Sequence, residues 1–330
     1  MNILDLSRIG RNPAGLLPTS NQLKTLGRDL LLPAFGLLLF LFLWYNAAMM
    51  INTSLGKFPG PVQVWEQTGG LLAEHQAERQ REAAFIERQE ARNAEILAAD
   101  PGARVQIRPY TGKPTFIDQI GTSLFTVLSG FLLASLIAIP LGILIGLNES
   151  VYAAVNPLIQ LFKPVSPLAW LPLVTMVVSA VYVSQDPAFS KSFLTSMFTV
   201  LLCCLWPTVI NTAVGVANVS RDLLNVSQVL RLGPLTHVFR IIVPASLPLM
   251  FTGLRLSLGI AWMVLIAAEM LAQNPGLGKF VWDEFQNGSS DSLGRIMVAV
   301  LVIGLIGFML DRAMLLLQRQ VSWDKNAVLR

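Results

Sequence analysis

Residues Asn218–Pro244 read NVSRDLLNVSQVLRLGPLTHVFRIIVP, a polar, basic island with apolar segments on both sides. It holds Arg221, Arg231, Arg240 and His237 against a single acid, Asp222. Leu223, Leu224, Val226 and Leu230 recur at helical spacing, with Leu232 and Leu235 near the turn. The pattern predicts a short amphipathic helix, a turn at Gly233-Pro234 and a second helix ending before Pro244. Between two membrane spans such an element suits docking of a partner, or adsorption on lipid headgroups. Pattern alone leaves both readings open.

The surroundings are those of a membrane protein. Of 330 residues, 53% are hydrophobic and only 13% charged, with a mean hydropathy of +0.58. A soluble domain carries about twice that charge fraction. The net charge of +4 invites a nucleic-acid reading, yet the basic residues sit beside apolar spans, where membrane topology explains them better. Cys203 and Cys204 are adjacent inside an apolar segment and make neither a disulfide framework nor a metal site. The start of the chain lacks an apolar h-region, so no cleaved signal peptide is expected.

Working outward from the island, the chain divides into an all-α polytopic protein with six spans. Residues 1–28 read as a flexible cytoplasmic tail and 29–51 as the first span. The interval 52–119 is polar. It opens with the rigid turn Lys57-Phe58-Pro59-Gly60-Pro61, and Glu66–Ala99, rich in Ala, Glu, Gln and Arg, predicts one or two solvated helices. Residues 120–317 form the membrane core. Its spans are expected at Ile120–Leu147, Pro167–Val183, Phe193–Val216, Ala245–Ala272 and Ile296–Leu310, with a short apolar helix at Val151–Phe162. Kinks are expected at Pro140, Pro172 and Pro207, polar loops at Ser184–Lys191 and Gln273–Leu293, and a second tail at 318–330. Six spans place both termini and the 218–244 loop on one side. All three are rich in Arg and Lys, which puts them in the cytoplasm and 52–119 outside as a periplasmic insertion.

Catalysis finds little support. A phosphate-cradling loop needs a Gly five residues before a Gly-Lys, then Ser or Thr. The pairs Gly56-Lys57, Gly112-Lys113 and Gly278-Lys279 are preceded at that spacing by Ile51, Ile107 and Gln273, and followed by Phe58, Pro114 and Phe280. Nucleotide chemistry, if coupled to this chain, belongs to another subunit. Polar residues at membrane depth are functional candidates: Thr208 and Asn211 in the fourth span, and Thr252, Arg255 and Glu269 in the fifth. For Thr208 and Asn211 the plain alternative is a hydrogen bond between helices. Glu269 reads equally as a gate or as a surface position near the outer interface. Arg255, ~15 Å along its helix, is expensive to bury without water or a partner. No acid lies within a turn or two of it in the fifth span. An aqueous anion path would compensate it, as would backbone carbonyls freed by the proline kinks.

The order of a basic loop, then Val243-Pro244-Ala245-Ser246-Leu247-Pro248, then Thr252-Gly253-Leu254-Arg255 resembles permease subunits of bacterial ABC importers of the nitrate/sulfonate/bicarbonate group. Supporting stretches are Phe162–Trp170 (FKPVSPLAW), Asn211–Val216 (NTAVGV), Ala267–Leu271 (AAEML), Gly276-Leu277-Gly278 and Gly304–Arg312 (GLIGFMLDR). Together they cover nearly everything from Phe116 to Trp323, and the nitrate-type permease is the nearest in flavour. The family loop usually reads Glu-Ala-Ala followed by a Gly thirteen residues before the Pro. Here Asn225, Val226 and Ser227 stand at the former and Arg231 at the latter, while Gly233 falls two residues too late. The charged 66–99 stretch is also longer than the family's usual outer loop.

The resemblance implies a type I importer fold in the bacterial inner membrane, working by alternating access, with no cofactor in this chain. It implies a second copy of the permease, two ATP- and Mg-binding subunits below, a periplasmic binding protein above, and lipid around. The 218–244 loop would dock on the ATPases through Leu224, Ser227, Gln228, Leu230, Arg231, Leu232, Gly233 and Leu235. Burying a few hundred Å² there at ~25 cal/mol/Å² yields several kcal/mol before association costs. Trp170, Thr208, Asn211, Thr252, Arg255 and Glu269 would line the substrate path or its gate. Nitrate or a similar small anion (nitrite, cyanate) is the expected cargo, with sulfonate, taurine or bicarbonate as alternatives. An ion-coupled secondary transporter should instead show inverted repeats and mid-membrane acids, and an intramembrane enzyme a nucleophile or metal cluster. The sequence offers none of these.

Overall fold

Five residues at four-residue spacing, Gly130, Ala134, Ala138, Gly142 and Gly146, decide how the helices meet. The computed structural model describes residues 31–53, 56–183 and 188–321. The tail 1–28, the tail end 322–330 and the centre of the Ser184–Lys191 loop lie outside them. The helices are α1 (Leu32–Met50), α2 (Pro61–Ala99), α3 (Phe116–Leu147), α4 (Glu149–Phe162) and α5 (Pro167–Val181). They continue with α6 (Lys191–Ala217), α7 (Arg221–Val229), α8 (Pro234–His237), α9 (Val243–Ala272), α10 (Leu277–Asn287) and α11 (Ser290–Val321). A two-stranded hairpin, β1 (Asn52–Thr53) with β2 (Gly56–Lys57), separates α1 from α2.

Helix α6 lies between α3 and α9, and the small-residue ridge of α3 packs directly on its backbone. A Cβ at Gly142 would stand 2.8 Å from the Val209 carbonyl and 2.6 Å from Thr212 Cβ, and one at Gly146 2.6 Å from the Ala213 carbonyl. Lipid supplies no hydrophobic drive between helices, so such small residues let dispersion and close backbone approach hold the bundle. Ala134 and Ala138 fill the ridge between the glycines and are buried, as are Val200, Cys204 and Val209 of α6.

Among the described residues, five helices are long and apolar enough to cross a membrane, and the bent pair α4 and α5 supplies a sixth crossing. At 15 residues, α5 is short of ~30 Å of hydrocarbon on its own. Pro164 and Pro167 break the chain, Ser166 accepts from the Leu168 amide to start α5, and the two helices meet at 101°. Helix α4 is not simply apolar. Glu149, Tyr152, Asn156, Gln160 and Lys163 share one face and line a cavity against the end of α6.

Three further expectations are corrected. The second helix of the island does not stop before Pro244. It passes through a π turn, Val238–Ile242, straight into α9. Proline displaces the carbonyl four residues earlier, and that residue, Arg240, sits in the wider π turn. The segment 273–293 is not merely a polar loop, because Asn274-Pro275-Gly276 leads into the helix α10. The last span continues past Leu310 to Val321, since Asp311 and Arg312 both find partners described below.

Helix α2 is one continuous 39-residue helix. Val64, Leu71 and Glu78, seven residues apart, are its buried seam. Polar contacts tie it to the start of α11 and α3: Gln67 donates to Asp291 at 3.2 Å, Arg79 to Asp118 at 3.1 Å, and Arg295 pairs with both Glu74 and Glu284. His75 meets Thr115 at 2.7 Å. The Tyr110 hydroxyl donates to Glu78 at 2.7 Å and holds that carboxyl below the usual carboxylate range. Farther along, the Gln89 amide pairs with the backbone of Arg108 in both directions.

The ridge gives the first prediction. Gly142→Ala forces α3 and α6 apart and costs about 1–3 kcal/mol, read as a lower melting temperature of the purified protein. Gly259→Ala in α9, where an added Cβ meets nothing, leaves the melting temperature unchanged.

Candidate functional site

The loop face is built by α7, the turn after it, α8 and the π turn. Helix α7 folds back on the ends of α3 and α6: Leu224 packs on a cluster of Val216, Val219, Ile242 and Ile143. Ser227 is buried too, its hydroxyl 2.6 Å from His237 Nδ1, so one hydrogen bond clips α7 to α8. The chain then reverses at Arg231, which takes a left-handed conformation at φ 47°. This is the position at which the related loops carry glycine, and a non-glycine side chain there costs about 1–2 kcal/mol. Gly233, at φ −64°, needs no such freedom.

The reversal corrects the expected docking face. Leu224 and Ser227 point inward and Leu232 is half-buried, because the leucines after the turn no longer continue the face of α7. What remains outside is Val226, Val229, Leu230, Leu235 and Phe239, with Leu230 62% and Leu235 75% exposed. Gln228, Arg231 and Gly233 are exposed among them. An apolar patch rimmed by Arg221, Arg231 and Arg240 therefore stands clear of the bundle.

The six residues expected along a path separate into distinct settings. Thr208 hydrogen-bonds Ser257 at 2.7 Å, and Ser257 donates to the Cys204 carbonyl at 2.6 Å, joining α6 to α9. Asn211 donates to the Pro207 carbonyl at 2.8 Å and Thr252 to the Pro248 carbonyl at 2.9 Å. Arg255 has an acid after all, not on its own helix but on α11: its Nη2 lies 2.9 Å from Asp311 Oδ2, and its Nε donates to Oδ1. This bidentate pair supplies the compensation that the fifth span alone lacks. Beside it the Arg312 guanidinium lies 4.9 Å from the Phe308 ring centre.

Glu269 is no surface residue. It is completely buried at the far end of α9, where both carboxylate oxygens accept from Ser123 Oγ at 2.9 and 2.8 Å and one accepts from the Gly278 amide at 3.0 Å. Ser123 in turn accepts from the Leu277 amide at 2.8 Å. Gly276 and Gly278 are required here, since a Cβ on either would collide with Glu269 or the Ile266 carbonyl. The arrangement fastens α10 to α3 and α9. Trp170, the last of the six, meets Phe162 with ring centres 5.8 Å apart at the α4–α5 elbow. Sequence reasoning missed Asp311, Ser123, Ser257 and Trp206, each of which acts across elements far apart in the chain.

Among the described residues, no group of His, Cys, Asp and Glu is placed to hold a metal ion. The geometry is that of a polytopic helical permease with a docking face at one end.

Comparison with known proteins places the chain further. Residues 138–323 match the family described as the inner membrane component of binding-protein-dependent transport systems, and the chain belongs to it. The nitrate import permease protein NrtB of Leptolyngbya laminosa is 37% identical over 193 residues, covering 58% of this chain and 64% of that protein. The bicarbonate transport system permease protein CmpB of Synechococcus elongatus is 32% identical over 315 residues, covering 95% and 96%. The solved MetNI methionine ABC transporter, in an inward-facing conformation, shares the fold at a TM-score of 0.52 and 13% identity, over 62% of this chain and 95% of that one. The chain is thus a multi-pass ABC-importer permease of the nitrate/bicarbonate type, and ATP hydrolysis belongs to a separate subunit.

The buried carboxylate yields the second prediction. Ser123→Ala strips Glu269 and the Leu277 amide of one partner each, costing about 1–3 kcal/mol. The melting temperature falls and protease cleavage within 273–289 rises, whereas Ser129→Ala, an exposed serine on the same helix, changes neither.

Proposed function

We propose that this chain carries nitrate inward across a bacterial inner membrane, as a pair of copies with two ATP-hydrolysing subunits on the loop face and a periplasmic binding protein on the α2 face. Both termini then lie in the cytoplasm. The observation that carries the reading is the exposed patch of Val226, Val229, Leu230, Leu235 and Phe239 within a basic loop. Apolar groups held in water beside arginines, on a turn anchored from beneath by Leu224 and the Ser227–His237 bond, suit a groove on a partner. Arg221, Arg231 and Arg240 agree with a cytoplasmic position.

The role of Arg255 changes with this geometry. Its guanidinium is paired with Asp311, so it holds α11 on α9 and acts on any path through that contact. Thr208, Asn211 and Thr252 likewise serve the joints of the bundle. Helix α2, pinned to α3 and α11 by ion pairs, extends the outer face on which a binding protein lands.

A bicarbonate cargo is the second reading, favoured by the full-length match to a bicarbonate permease. The test is uptake by the complete importer in proteoliposomes. The account expects ATP-dependent nitrate uptake, weakly competed by bicarbonate. Leu230→Asp releases the ATPases or leaves hydrolysis running without transport, at an unchanged melting temperature of the permease. Bicarbonate uptake untouched by excess nitrate reverses the cargo, and a coupled Leu230→Asp complex refutes docking through this patch.

A further inference from the structure

One stripe of α6 runs the length of the bundle and lines two cavities in turn. In its first half, Leu194, Phe198 and Leu202 face Val174 and Val178 of α5 across a wholly apolar cavity of about 540 Å³. In its second half, Ile210, Ala213 and Ala217 face Asn156, Gln160 and Lys163 of α4 across a cavity of about 380 Å³. Polar groups on a membrane helix are costly against lipid and are kept where they meet water or cargo. The polar face of α4 meets that condition.

Between the two cavities stands Trp206, at the same register on α6. Its ring stacks on Phe162 at 6.2 Å and 9°, and Phe162 also meets Trp170, which closes the apolar cavity. The Nε1 atoms of Trp170 and Trp206 are both shut off from solvent and have no acceptor. A buried donor left without a partner is expensive, and a native structure that keeps two against one ring calls for an explanation.

We propose that this stripe is the anion's route through the chain and that Phe162, Trp170 and Trp206 form its constriction, where the two indole N–H groups donate to a small oxyanion in passage. The inference rests on reading the chain as an anion permease. Three aromatic rings make a dry gap that rejects hydrated ions, and neutral N–H donors replace part of the hydration shell without holding the anion too tightly to leave. The planar face and in-plane oxygens of nitrate or bicarbonate suit a slot between rings with edge donors. Lys163, one residue beyond Phe162 and in the wall of the polar cavity, draws the anion on towards the loop face.

The test uses the complete importer in proteoliposomes. Trp170→Phe and Trp206→Phe keep a ring and lose the N–H, and each lowers nitrate uptake roughly ten-fold while ATP hydrolysis stimulated by the binding protein continues. Phe162→Leu opens the gap and gives a nitrate leak without ATP. Parental uptake in both tryptophan variants, with Phe162→Leu vesicles still tight, overturns the proposal. So does loss of uptake accompanied by separation of the two permease copies in detergent, which would make the indoles donors at the interface between copies. If the parent complex carries no anion at all, the functional reading fails by itself, and the Phe162→Leu leak still decides whether the route stands.

Discussion

The close seat of α3 and α9 on α6 is the constraint on which the rest depends. In lipid the helices gain little by hiding from solvent, so their association rests on how near their backbones come. The glycine and alanine ridge of α3 brings that helix onto the carbonyls of Val209 and Ala213. On the other side, Gly253 of α9 reaches the Pro207 carbonyl, and Thr208 and Ser257 bond across the joint. With α6 fixed from both sides, its remaining face is left open towards α4 and α5, and that is where the cavities lie.

Polar groups then pin the ends of the bundle rather than its middle. Glu269 and Ser123 fasten α10 at one end, and the Ser227–His237 bond fastens the docking loop at the other. Arg255 and Asp311 join α9 to α11 between them. Each pairing is buried or half-buried, so it costs desolvation and repays it only with good geometry. A carrier that rocks between two states needs such rigid blocks, because a push on the loop face must reach the cavity without being absorbed on the way.

Much of the architecture was legible in the chain itself. Hydropathy placed the long spans, and Lys163-Pro164 with Pro167 marked the break between α4 and α5. The amphipathic turn at 218–244 was visible from its leucines, but not which of them faced out. That depended on the left-handed Arg231, where a residue other than glycine disguises the reversal. The partner of Arg255 was hidden because Asp311 is 56 residues away and reads as the end of a span. Glu269 looked like a surface acid because its donors come from α3 and from backbone amides of α10, neither of which leaves a pattern near it. Helix α10 was masked by Asn274-Pro275-Gly276, which signals a loop and here starts a helix.

The central claim is that the loop face, and not another surface, receives the ATP-hydrolysing partner. Amide hydrogen exchange of the permease alone and in complex with that partner tests it directly. The account predicts slower exchange across 221–239 in the complex, with α10 at the opposite end unchanged. Unaltered exchange at 221–239 together with new protection at 277–287 would contradict it.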